Sequence, residues 1–157
     1  MQNSFQLPYH EAVQDLQAFL TRAKRLDDSG MGRLRAFGTV LAAYVAPIYS
    51  GIIMDAGPTI LGLRTMDLAA EGEVDAVVPI GAVLYRLARA TQLEDHEIII
   101  ELPASERVSW TGITPPRAGW LPAGEVAESK LSEVAKAGIA EVASTIPSSA
   151  GGPIASR

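Results

Sequence analysis

Two histidines, no cysteine and a scatter of arginines among acids define the chemistry open to this chain of 157 residues. Imidazole titrates near neutral pH, so His10 and His96 are the first candidates for proton transfer. His10 stands beside Glu11 at an expected helix start, with no serine, aspartate or second histidine placed to form a triad. A surface histidine is the preferred reading. His96 lies among Glu94, Asp95 and Glu97, which reads as a solvated turn before a strand rather than a divalent-cation site. The absence of cysteine removes thiolate metal sites, iron–sulfur clusters, disulfides and a cysteine nucleophile. The glycines build neither a dinucleotide fingerprint nor a P-loop, and no G-x-S-x-G elbow is present. Neither a metal nor a cofactor is expected, and no catalytic set emerges.

Two other constellations stand out. Arg64, on an expected strand, and Arg117, beside Trp120, are of the type that grips a carboxylate or phosphate through forked hydrogen bonds. Asp67 or Asp55 would then supply the acid or base. The second is the stretch from Trp110 to Trp120, where the two tryptophans flank Pro115, Pro116 and Arg117. Prolines push the residues before them towards extended backbone, and tryptophan and arginine anchor interfaces. Trp110, Pro115, Pro116 and Trp120 are thus candidate interface residues, joined by Gly138 on a later helix. The competing and preferred reading is a stiff connector whose tryptophans plug the edge of the core.

The charge balance narrows the partners. Eighteen acids against 13 bases give a net charge of −5, unlike the basic face that displaces counterions from nucleic acid. Between Glu71 and Glu106 stand eight acids and two bases, read as charge that keeps turns and edge strands soluble. Ala36 to Met54 carries no charge over 19 residues, long enough to raise a membrane span. Gly38, Pro47 and Gly51 inside it, and the alternation of Val40, Ala42 and Tyr44 with Leu41, Ala43 and Val45, favour a buried strand. The first residues lack a basic region and an apolar run, so no secretory signal is read. A soluble cytoplasmic protein is expected, with no membrane partner.

The elements that must position these residues follow from periodicity. Residues 1–8 are expected as an arm, followed by a helix from Tyr9 to Leu26. Arg33 to Ala46 predicts one long strand bent at a Gly38 bulge, followed by a loop from Pro47 to Pro58. Thr59–Ala69 and Val74–Val78 predict a hairpin across a Glu71-Gly72-Glu73 turn. Pro79 opens a helix with Ile80, Val83, Leu84 and Leu87 on its apolar face. Glu97 to Leu102 predicts a strand buried on both faces, and Ala104 to Pro122 an irregular stretch. A last helix spans Glu125 to Thr145 with Val126, Leu131, Val134, Gly138, Ile139 and Val142 as its stripe. Residues 9–146 are expected to form a single α+β domain: one antiparallel sheet of four to five strands with about three helices packed on it. Residues 147–157 read as a flexible tail or linker, expected to lead into a longer chain.

The segments Arg33-Leu34-Arg35-Ala36, Pro58-Thr59-Ile60-Leu61-Gly62-Leu63-Arg64, Asp75-Ala76-Val77-Val78-Pro79, Thr114-Pro115-Pro116-Arg117-Ala118-Gly119-Trp120 and Gly138-Ile139-Ala140-Glu141-Val142-Ala143 resemble a family of conserved actinobacterial proteins of unknown function. The resemblance implies a soluble bacterial protein and transfers no site residue. The expected function is a non-enzymatic module that self-associates or binds another protein, as a homodimer. Its alternative is a binding protein or enzyme with an arginine-lined pocket for a carboxylate or phosphate.

Overall fold

The computed structural model describes residues 3–49, 59–90, 98–112 and 115–145. The chain divides into two compact units, Met1–Pro115 and Pro116–Arg157. In the first, strand β1 (Ser4–Leu7) leads into helix α1 (His10–Leu26), then strands β2 (Met31–Ile48) and β3 (Ile60–Pro79). Helix α2 (Ile80–Ala90), strand β4 (Ile98–Glu101) and a short 3-10 turn (Ser109–Gly112) complete it. The second unit holds helix α3 (Glu128–Thr145).

Helix α1 forms where the sequence places it. Val13, Leu16 and Leu20 recur on one face and are fully buried, with Glu11 in the first turn and Lys24 and Arg25 in the last. Its end is fixed by the side chain of Asp27, which accepts from the Ser29 amide at 3.0 Å. Helix α2 starts directly after Pro79 and buries Ile80, Val83 and Leu87. Ser4–Leu7, expected within an arm, instead pair with β4 and send Phe5 and Leu7 into the core.

Strand β2 is the long strand bent at Gly38 that the sequence predicts. Gly38 has φ +58°, a conformation that L side chains adopt only at a cost, and the register breaks there. The bulge also switches the strand's faces. Leu34 and Ala36 point inward before it; Leu41, Ala43 and Val45 point inward after it. Val40, Ala42 and Tyr44 are therefore turned outward, and the strand is not buried on both faces as expected. The bend brings distant parts of β2 together: a Cβ added at Gly32 would lie 3.7 Å from the Tyr44 carbonyl oxygen.

Two expectations need correction. Glu71-Gly72-Glu73 is not a hairpin turn, because β3 runs through it and pairs with β2 on both sides. The length of β2 supplies partners for both halves of β3, so the chain has no need to fold back on itself. The turn residues mark a lesser event. Between Gly38↔Gly72 and Val40↔Asp67, β2 spends only Thr39 where β3 spends Leu68, Ala69, Ala70 and Glu71. Nor is there one sheet of four to five strands. The fold is α+β with three α-helices among the described residues, and its strands form two antiparallel pairs, β1–β4 and β2–β3. Ser4–Gln6 border a cleft with Ala70–Gly72, the stretch where β3 leaves its register, so no regular ladder joins the pairs. The isoleucines of β4 alternate: Ile98 and Ile100 are buried and Ile99 is exposed, as in a strand with one face on the core.

One core unites the first unit. Leu16 and Leu20 of α1, Val83 and Leu87 of α2, Ile98 and Ile100 of β4, and Leu34, Leu41 and Val78 of the β2–β3 ribbon belong to it. Residues 50–58, with Ile52–Met54 and Asp55, residues 91–97, with His96, and the tail from residue 146 lie outside the described residues.

Candidate functional site

The densest polar constellation sits on the outward face of the ribbon. Alternation along a strand puts Arg33 and Arg35 on the same face, and the antiparallel register sets Asp75 directly opposite Arg35. Arg33 takes both oxygens of Asp75, with Nε donating to Oδ1 at 2.8 Å and Nη2 to Oδ2 at 2.9 Å. Its Nη1 donates to the Thr111 carbonyl oxygen at 2.9 Å and so ties the 3-10 turn to the ribbon. Arg35 Nε lies 3.2 Å from Asp75 Oδ2 in an ion pair, yet this nitrogen is shielded from solvent and has no hydrogen-bond partner. Two guanidiniums thus share one carboxylate. The side chains of Arg33, Arg35 and Asp75 are 15%, 17% and 33% exposed. Phe37 and Glu73, the next cross-strand pair, stand exposed beside them.

The segment after β4 braces this face. The Val77 amide donates to Ser105 Oγ at 2.9 Å, and the Glu106 amide donates to the Val77 carbonyl oxygen at 2.8 Å. Trp110 is buried, lining a small cleft with Ala23, Met31, Ala46 and Ile80. Of the two tryptophans expected to plug the core edge, Trp110 does so. Trp120 belongs to the second unit and is 68% exposed, its indole donating to the Pro116 carbonyl oxygen at 2.8 Å across a turn with Gly119 at φ +83°.

The two arginines of the sequence-derived anion pair, Arg64 and Arg117, belong to different units. Arg64 stands opposite Ala43, and its guanidinium grips Asp15 of α1 in a two-pronged pair at 2.8 and 2.7 Å. Asp67, three residues along the same strand, projects from the opposite face, paired with Val40. Arg117 belongs to the second unit and is exposed, as are Pro116 and Gly138, while Pro115 is half-buried. Sequence reasoning missed Arg33, Arg35 and Asp75 as a constellation. The Arg-x-Arg spacing was the available signal; the carboxylate arrives from 42 residues away in sequence.

Helix α3 is the other unusual surface. Every residue from Pro116 to Glu141 is exposed, including Leu131, Val134 and Ile139 at 58%, 59% and 71%. Leu131, Val134, Gly138 and Ile139 of the stripe that periodicity predicts lie on α3, whereas Val126 precedes the helix, and none of these residues is buried within the second unit. Among the described residues, no group of three or more His, Asp or Glu could hold a metal ion. No described helix is long and apolar enough to cross a membrane.

A family model described as a domain of unknown function, DUF8010, covers residues 1–112. The chain belongs to the DUF8010 family. The match takes in the ribbon, the Arg33–Arg35–Asp75 cluster and Trp110, and ends before α3. Searches of curated proteins and of solved structures found no match.

Proposed function

We propose that this DUF8010 chain is a non-enzymatic interaction module that associates with a second copy of itself. One observation carries the reading: α3 is an 18-residue helix with an apolar stripe, and no described residue from Pro116 to Glu141 is buried. Most helical stability in proteins comes from packing an apolar face rather than from propensity. Contiguous exposed apolar residues of this kind mark interaction surfaces. A homodimer is the commonest closed assembly and covers such a stripe without another gene product. Sedimentation of the 16.6 kDa chain at micromolar concentration tests the reading, with a species of about 33 kDa expected. A lone monomer at every concentration refutes it.

The Arg33–Arg35 pair favours a second reading, binding of a carboxylate or phosphate. Arg35 shares the Asp75 carboxylate with Arg33, and its shielded Nε has no hydrogen-bond partner among the described residues. Such a guanidinium gains from an added anion. Titration with phosphate or citrate, followed by thermal melting, tests this. A rise in Tm that vanishes in Arg35→Ala supports it; an equal rise in Arg35→Ala overturns it.

A further inference from the structure

We infer that the outer edge of β4 takes up an extended acidic peptide from a protein partner as an added strand, with Arg86 and Arg89 of α2 along its other side. The inference goes beyond the self-association proposed above and does not depend on it, since every residue it uses belongs to the first unit. Among the described strands, β4 has β1 as its one neighbour in the sheet. The Leu102 amide donates to the Asn3 carbonyl oxygen at 2.7 Å, which fixes the phase of the ladder. Ile100 and Ile98 are then the residues that bond Phe5 and Leu7, and the amides and carbonyls of Ile99 and Glu101 point away from β1. Among the described residues, none of these outward groups takes part in a backbone hydrogen bond. Edge strands are commonly guarded by lysine, proline or a bulge, and Ile98-Ile99-Ile100-Glu101 has none of these.

The second wall of this edge is α2. Tyr85, Arg86, Arg89 and Ala90 line an open cleft with Ile99 and Glu101. A groove between an edge strand and a helix suits peptide addition to a sheet, where main-chain bonds give affinity and alternate side chains give specificity. Tyr85 and Ile99, 67% and 53% exposed, offer apolar surface to cover. The charge selects the occupant. Two guanidiniums share the cleft with one carboxylate, Glu101, and among the described residues neither Arg86 nor Arg89 has a carboxylate within 4 Å. Helical spacing of three puts the two arginines on one flank. Arg86 Nη1 donates to the Ala82 carbonyl oxygen at 2.9 Å, which holds that side chain along the helix. A strand added to β4 directs every second side chain inward, as Ile98 and Ile100 are directed. Carboxylates at alternate positions of the peptide then reach the arginines and form charge-assisted hydrogen bonds.

Fluorescence anisotropy of a labelled hexapeptide alternating valine and glutamate, titrated with the full chain, tests this. Saturable binding is expected, with little for a hexapeptide alternating valine and lysine. The double variant Arg86→Glu/Arg89→Glu should reverse that preference. Ile99→Pro removes one outward amide and sets a ring where the added strand would lie. It leaves the bonds to β1 intact, because proline is tolerated on the free side of an edge strand. It should weaken binding about tenfold or more with the melting temperature little changed. Equal binding of the two peptides, or none, overturns the inference, and so does full affinity in Ile99→Pro. Should Ile99→Pro melt early, the charge reversal decides: a reversed chain that still prefers glutamate overturns the inference. A dimer that dissociates in Ile99→Pro, with neither peptide bound, gives the edge to a second copy and overturns the acidic partner.

Discussion

Replacing Asp75 by alanine should be among the costliest single changes on the outward face of the ribbon. It removes the carboxylate that accepts from Arg33 at 2.8 and 2.9 Å and stands 3.2 Å from Arg35 Nε. The two arginine side chains are only 15% and 17% exposed, so little water replaces what they lose, while Asp75 itself is 33% exposed. An exposed pair is worth at most about 1 kcal/mol, and breaking a fully buried one costs about 3–5 kcal/mol. Partial exposure places this cluster between the limits, at roughly 2–3 kcal/mol. Urea unfolding followed by Trp110 fluorescence reads the change, since Trp110 neighbours the Thr111 carbonyl held by Arg33. A double-mutant cycle should give Asp75 a larger coupling to Arg33 than to Arg35, because Arg35 Nε makes no hydrogen bond. A loss below about 1 kcal/mol, or equal couplings, would refute the reasoning and class the cluster with ordinary surface pairs.

Three further outcomes are expected. Trp110→Ala should destabilise by about 3–5 kcal/mol in denaturant, whereas Trp120→Ala, with its ring mostly in water, should change stability by no more than about 0.5 kcal/mol. Gly38→Ala should cost about 1 kcal/mol through backbone strain alone, since no atom lies within 4 Å of the added Cβ; Gly38→Asn should cost less. Arg64→Ala should cost less than about 1 kcal/mol and lose its effect in high salt, because Arg64 and Asp15 are both well exposed.

Local pattern alone determined a large share of this protein. The face of α1, the stripe of α3, the start of α2 after Pro79 and the bend of β2 at Gly38 follow from spacing and from one glycine. These are properties of neighbouring residues, and period and backbone preference act over a few positions. Tertiary structure decided which strands pair. Glu71-Gly72-Glu73 has turn chemistry, but β2 is long enough to hold the chain on both sides of it, and a partner distant in sequence outweighs a local preference. The candidate site was hidden for the same reason. Arg33 and Arg35 are visible as a pair on one face, while Asp75 joins them only once the register of β2 and β3 is set. Arg64 and Asp67 show the converse, since two polar residues close in sequence are sent to opposite faces by the strand's two-residue period. The fate of Trp110 was likewise settled by packing. It sits in a short 3-10 turn with no periodicity to read, and only the cleft it lines with Ala23, Met31, Ala46 and Ile80 made it part of the buried interior.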